Sequence, residues 1–86
     1  RCTLELGGKS PNIVFDDAVL EDAVKGAISG IFAATGQTCI AGSRLLVQTG
    51  IYDRFVKALV EFAATARMGD PMDRATQVGP VTSAPQ

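Results

Sequence analysis

A paired apolar periodicity between residues 19 and 32 constrains the fold of this chain most. The apolar side chains recur in adjacent pairs every four positions, at Val19, Leu20, Ala23, Val24, Ala27, Ile28, Ile31 and Phe32. This spacing predicts an α-helix of about four turns with one broad apolar face. We expect the helix to start at Asp16 and Asp17, whose carboxylates suit a helix N-terminus, and to end by Gly36. Another element must cover the apolar face.

Short apolar runs flank this helix and predict strands at residues 2–6, 12–15 and 45–47. A second helical stripe follows and ends before Gly69-Asp70-Pro71; its apolar members are Ile51, Phe55, Val56, Leu59, Val60 and Ala63. Residues 72–86 have the composition of a loop. Because strands alternate with helices, we expect an α/β fold in which parallel pairing is favoured over antiparallel pairing.

Composition excludes several functional classes. The formal net charge is -1, and the lysines and arginines stand singly among acidic residues, so there is no basic stripe for a nucleic-acid partner. No apolar run approaches the roughly 18 residues of a membrane helix. With no histidine and only two cysteines, we expect neither a metal site nor a disulfide framework, and a reducing, cytoplasmic location.

The sequence GGKS at residues 7–10 raises the question of a phosphate-binding loop. A P-loop needs a first glycine separated by four residues from the final Gly-Lys-Ser, and a helix after it. Here Thr3 stands at that first position, and Pro11 follows Ser10 at once. We therefore interpret the glycines as a tight turn. The preceding Glu5 is a surface residue of an edge strand or, less favoured, a carboxylate at the mouth of an apolar site, where it would suit a general base.

The two cysteines occupy different settings. Cys2 lies within an apolar run, and we interpret it as a small buried residue. Cys39 lies between the first helix and the strand at 45–47, in the small-residue loop GQTCIAGS. A lone cysteine is most often buried, but these small neighbours would let a substrate reach a thiolate, which is a strong nucleophile. Both interpretations of Cys39 stay open on the residues alone.

Several motifs together closely resemble the aldehyde dehydrogenase superfamily: LELGGKSPNIVF, the helix after it, GQTCIAGSRLLV, YDRFVKALV, GDP and VGP, in this order. The central two are Glu-Leu-Gly-Gly-Lys at residues 5–9 and Gly-Gln-x-Cys at residues 36–39, whose acid and thiol stand 34 residues apart. The resemblance covers essentially the whole chain. It implies a fragment of the aldehyde dehydrogenase fold, with residues 1–7 ending the dinucleotide-binding domain and residues 8–86 starting the α/β catalytic domain.

The resemblance also implies individual roles. Cys39 would be the nucleophile that attacks an aldehyde carbonyl to give a thiohemiacetal and then a thioester. Glu5 would activate the water that hydrolyses this thioester to a carboxylic acid. The backbone at Leu6 and Gly7 would border the nicotinamide of the cofactor, which is NAD or NADP.

The resemblance also implies roles for residues around the nucleophile. Thr38 and Ile40, which flank the nucleophile, would shape the pocket for a small-molecule aldehyde. Lys9, Ser10 and Arg44 match family positions that we interpret as structural. The parent protein would be a homo-oligomer, no metal is implied, and the 86-residue piece by itself is expected to be inactive.

A second hypothesis is a catalytically silent, structural relative of the same family. Loss of Cys39 or Glu5 would favour it, and both residues are present. A thiol redox protein would need a second cysteine close to Cys39 in sequence, and there is none.

Overall fold

The computed structural model describes residues 1–86 and contains two strands and two α-helices in alternation. They are β1 (Pro11–Val14), α1 (Leu20–Phe32), β2 (Arg44–Val47) and α2 (Tyr52–Ala63), with short 3-10 turns at Ala33–Gly36 and Thr49–Ile51. β1 and β2 pair in parallel, with Pro11 opposite Arg44 and Val14 opposite Val47. The helix α1 is therefore the crossover of a β-α-β unit, and the prediction of an α/β fold with parallel pairing is confirmed.

A small apolar core joins one face of the sheet to the two helices. It consists of Val14, Val24, Ala27, Ile51 and Phe55, with Phe55 fully buried. Both predicted stripes contribute to it, because Val24 and Ala27 belong to α1 and Phe55 to α2. Burial of these side chains supplies most of the stabilisation that the segment gains from its own contacts.

The opposite face of the sheet is uncovered within these residues. The strand register places Ile13 beside Leu46, and their side chains are 55% and 49% exposed. Parallel sheets are ordinarily covered on both faces, since their crossover helices lie on them. The 86 residues therefore form one side of a layered structure.

The start of α1 differs from the sequence-based expectation. The helix begins at Leu20 rather than at the aspartates, and no side chain caps it. The Asp16 backbone N–H instead donates to Gln48 Oε1 at 3.0 Å, and Gln48 Nε2 donates to Asp16 Oδ2 at 3.0 Å. These two hydrogen bonds connect the chain after β1 to the chain after β2. Asp16 therefore stabilises the pairing of the two strands and does not cap the helix.

The N-terminal segment also differs. Residues 1–9 have no regular secondary structure and are exposed, with Leu4 69% and Leu6 72% exposed. The expectation of a strand at residues 2–6 was wrong, because a strand needs a neighbour and the sheet holds only β1 and β2. The expectation of a buried Cys2 fails with it, since the thiol is exposed.

Residues 72–86 are loop-like, as expected, but α2 ends earlier than the sequence predicted. It stops at Ala63, six residues before Gly69, and its carbonyls are partly satisfied by the turn that follows. A single parallel bridge joins Met68 to Val78, and Arg67 Nε donates to the carbonyl oxygen of Ala75 at 2.8 Å. Neither helix has both the length and the apolarity that crossing a membrane requires.

Candidate active site

The chain reaches Cys39 through a backbone turn in the left-handed region. After α1 ends at Phe32, the φ angles of Ala34, Thr35 and Gly36 are 48°, 56° and 77°. Gly36 adopts this conformation readily, as the sequence predicted for a residue after a helix. For Ala34 and Thr35 it costs about 1–2 kcal/mol each, because their Cβ atoms crowd the backbone. The surrounding contacts must therefore hold this turn in place.

Gln37 follows the turn, and its side-chain amide is engaged at both ends. The Nε2 group donates to the carbonyl oxygen of Ala34 at 3.2 Å and to Thr35 Oγ1. The Oε1 atom accepts from the backbone N–H of Thr82 at 2.9 Å and from Thr82 Oγ1 at 2.5 Å. Gln37 therefore connects the turn to a segment 45 residues further along the chain.

Cys39 lies at the tip of a second turn. The Ala41 N–H donates to the carbonyl oxygen of Thr38 at 3.1 Å, so Cys39 and Ile40 are the two central residues of that turn. Both are exposed, whereas Ala41 is only 4% exposed. The turn therefore exposes the Cys39 thiol to solvent, while Ala41 at the end of the turn is buried. The interpretation of Cys39 as a buried residue is wrong in this structure.

The glycines of the first motif lie against this turn. A Cβ atom built on Gly8 would lie 2.7 Å from the carbonyl oxygen of Cys39, closer than real Cβ contacts allow. A Cβ on Gly7 would meet nothing within 4 Å. Gly8 is therefore required for close approach of the two backbones, and Gly7 leaves open space beside the chain.

Arg44 fixes the residues that follow these glycines. Its Nε donates to the carbonyl oxygen of Lys9 at 2.8 Å, and its backbone N–H donates to the carbonyl oxygen of Ser10 at 3.3 Å. These bonds hold the first motif at the start of β2. The Arg44 side chain thus makes a structural contact, whereas Lys9 and Ser10 take part only through their backbone carbonyls.

The two motifs enclose a mainly polar cleft of about 230 Å³. Its walls include Gly7, Gly8 and Lys9 on one side and Gly36, Gln37 and Thr38 on the other. Of the candidate site residues, the cleft thus brings Gly7 and Thr38 together. Glu5, Leu6, Cys39 and Ile40 are exposed and do not line it.

Two larger grooves lie on other surfaces. One, of about 400 Å³, lies between the C-terminal ends of α1 and α2, and the other, of about 500 Å³, lies between the end of α1 and residues 78–81. Mainly apolar side chains line both, such as Phe32 and Val78. Neither contains a candidate catalytic residue. No three His, Cys, Asp or Glu side chains come together in a way that could hold a metal ion.

Sequence reasoning missed two residues of this site. Gln37 belongs to a recognised motif, but nothing in the local pattern indicates that its amide bonds to Thr82. Thr82 carries no sequence signal, since it stands in a loop-like stretch far from Cys39. The contact follows only from the path of the chain.

Comparison with known proteins identifies the family and the fold of this chain. The chain matches the model of the aldehyde dehydrogenase family over residues 1–86. It is 56% identical over 86 residues to a betaine aldehyde dehydrogenase of Mesorhizobium japonicum. Among solved structures it is similar to a betaine aldehyde dehydrogenase of Staphylococcus aureus in complex with NAD+ (TM-score 0.88, 48% identity). It is also similar to PnpE of Pseudomonas sp. WBC-3 (TM-score 0.89, 53% identity).

The comparisons differ in how much of each protein they cover. All of this chain aligns with 18% of the Mesorhizobium protein. In the two structures, 94% of this chain aligns with 16% of the Staphylococcus chain and 17% of the Pseudomonas chain. The chain therefore spans about a sixth of the length of these relatives. By its match to the family model over every residue, it belongs to the aldehyde dehydrogenase family.

Proposed function

We propose that these residues form the catalytic segment of an NAD-dependent aldehyde dehydrogenase that oxidises a small-molecule aldehyde to a carboxylic acid. The observation that carries the proposal is the close approach of the Gly8 backbone to the Cys39 carbonyl, which brings the acid-bearing motif to the thiol-bearing turn. The relatives are named as enzymes, so they lend no support to the hypothesis of a catalytically silent protein. Betaine aldehyde, which the names of the Mesorhizobium and Staphylococcus proteins contain, is the first aldehyde to assay.

Cys39 would supply the nucleophile. Its thiolate attacks the aldehyde carbon, and the carbonyl oxygen becomes an oxyanion. The backbone N–H of Cys39 donates to no acceptor within the chain, so it is available to hydrogen-bond that oxyanion. The exposed position of the thiol on its turn leaves room for a substrate, with Thr38 and Ile40 on either side.

The residues present fit a nicotinamide cofactor. Leu6 and Gly7 are exposed, and the space beside Gly7 that lacks any heavy atom within 4 Å would accommodate a flat ring against the backbone. Bound there, NAD+ would supply the hydride acceptor that oxidation of the thiohemiacetal to the thioester requires. The NAD+ complexes of the Staphylococcus enzyme and of PnpE favour NAD over NADP.

Glu5 would act in the second half of the reaction. Its carboxylate takes a proton from a water molecule, and the hydroxide attacks the thioester carbon so that the Cys39 thiolate leaves and the carboxylic acid is released. Glu5 stands two residues before Gly7, on a segment without regular structure.

Acylation of the cysteine tests this proposal. In the full-length protein that carries this segment, a slowly hydrolysed aldehyde or an alkylating agent should label Cys39, detected by peptide mass spectrometry. Cys39→Ala should abolish activity, and Cys2→Ala is the matched control because Cys2 is also exposed. Labelling at Cys2 with Cys39 untouched, or full activity of Cys39→Ala, would refute the assignment.

A further inference from the structure

Gln37 takes no part in the chemistry proposed above, yet its side chain makes more hydrogen bonds than any other in the chain. The amide donates to Ala34 and Thr35 on one side and accepts twice from Thr82 on the other. A side-chain amide can make about four hydrogen bonds, so the capacity of Gln37 is filled. Such complete use restricts the side chain to one position and orientation.

The turn that Gln37 holds is conformationally unfavourable. Ala34 and Thr35 both have positive φ angles, which residues with a Cβ atom seldom adopt unless their surroundings impose them. The Thr35 hydroxyl and the Gln37 backbone N–H also donate to the carbonyl oxygen of Ala34, but both lie within the turn itself. Without the Gln37 side chain, which connects the turn to Thr82, we expect these two residues to relax towards the right-handed or extended region. Because Cys39 follows only three residues after Gly36, that relaxation would displace the thiol.

The remaining anchors of the Cys39 turn lie on its other sides. Gly42 N–H donates to the carbonyl oxygen of Gly30 at 3.1 Å, and Ala41 is buried, so the chain after Cys39 is fixed. Gly8 packs against the carbonyl of Cys39. On the side before Cys39, the long-range side-chain bonds are those from Gln37 to Thr82.

We propose that Gln37 and Thr82 form a latch that positions the Cys39 turn, which makes Gln37 a positioning residue for the attack of the thiol on the aldehyde. The catalytic consequence rests on the proposed role of Cys39, whereas the latch itself is a property of the fold. A misplacement of reacting atoms by about 1 Å can cost about a hundredfold in rate. The latch should therefore govern formation of the acyl-enzyme more than cofactor binding.

Four variants of the full-length protein test the hydrogen bonds of the Gln37 amide nitrogen and those of its oxygen separately. Gln37→Met keeps the length of the side chain and removes every side-chain hydrogen bond, while the backbone N–H of residue 37 still donates to Ala34. Gln37→Glu removes the side-chain donor to Ala34 and Thr35 with almost no change in shape. Thr82→Val removes the hydroxyl, whereas Thr82→Ser retains it and should behave like the wild-type protein. The control is Ser83→Ala, at the next position, whose hydroxyl makes no hydrogen bond in this structure.

Hydrogen exchange followed by mass spectrometry tests the latch without reference to activity. The Thr82 backbone N–H donates to Gln37 Oε1, so its exchange should be roughly tenfold faster in Gln37→Met, as loss of such hydrogen bonds implies. Peptides that cover residues 34–41 should lose protection in parallel. Unchanged exchange at Thr82 and in these peptides would overturn the latch, whatever Cys39 does.

Transient kinetics test whether the Gln37–Thr82 latch affects catalysis. The rate constant for the first turnover, read as the burst of reduced cofactor, should fall about tenfold or more in Gln37→Met and in Gln37→Glu, with the cofactor dissociation constant little changed. Thr82→Val should show a smaller loss, and Thr82→Ser and Ser83→Ala none. Should Gln37→Met fail to fold, the comparison of Thr82→Val with Thr82→Ser still decides the question.

The outcomes distinguish this inference from the proposed function. Wild-type bursts in Gln37→Met and Thr82→Val, together with an inactive Cys39→Ala, would overturn the positioning role and leave the nucleophile intact. Full activity of Cys39→Ala would refute the proposed function, and the exchange of Thr82 would still decide whether the latch exists.

Discussion

The backbone of Gly8 lies so close to the carbonyl oxygen of Cys39 that a Cβ atom at residue 8 would approach it to 2.7 Å. This contact joins two motifs that are 31 residues apart in sequence, since 39 minus 8 is 31. It also explains why a glycine pair is useful here. One glycine permits the contact, and the other, Gly7, leaves free space where a ring could lie.

Gly8→Ala should disturb the Cys39 turn. Neither contact atom is the end of a flexible side chain, so backbone must shift to relieve the overlap. We expect a lower melting temperature and a slower alkylation of Cys39 by iodoacetamide, measured in the full-length protein without cofactor. Gly7→Ala is the control, because its Cβ would meet nothing within 4 Å. Equal melting temperatures and alkylation rates for both variants would contradict the contact.

Glu5→Gln should separate the two chemical steps. The amide keeps the size of the side chain but cannot accept a proton from water, so acylation should survive better than hydrolysis. After rapid mixing of the full-length variant with aldehyde and NAD+, we expect a burst of reduced cofactor near one equivalent per active site. The steady rate should then fall by roughly a hundredfold or more.

Two results would contradict this role for Glu5. A normal steady rate would remove the residue from the mechanism. Absence of a burst, with cofactor binding intact, would mean that Glu5 also assists deprotonation of Cys39 or that hydride transfer limits the rate. Asp17→Asn is a suitable control, since it removes another exposed carboxylate on the other side of β1.

The 86 residues expressed alone should fold poorly. Only six residues are buried, and the sheet face that carries Ile13 and Leu46 is uncovered. A core of this size cannot offset the conformational entropy of 86 ordered residues, and exposed apolar surface promotes association. We expect aggregation or a broad, non-cooperative thermal transition by circular dichroism, and no dehydrogenase activity. A soluble monomer with a sharp transition would contradict this expectation.

The sequence by itself determined the elements whose signals are local. The paired apolar stripe predicted α1, the second stripe predicted α2, and the runs at residues 12–15 and 45–47 predicted β1 and β2 to within one residue. Gly36 predicted a left-handed turn after the first helix, and its φ angle is 77°. Periodicity and glycine geometry act over a few residues, so they can be inferred without knowledge of the rest of the chain.

Only the tertiary structure decided the features that depend on contacts between residues far apart in sequence. Residues 2–6 have the composition of a strand but lie exposed, because no strand pairs with them. Asp16 resembles a helix cap but bonds to Gln48, 32 residues away. The hydrogen bond that Thr82 donates to Gln37 and the approach of Gly8 to Cys39 likewise depend on the route of the chain. A hydrogen bond or a close contact forms only where the folded backbone brings its two groups together. The path of the backbone cannot be inferred from the few residues around either group.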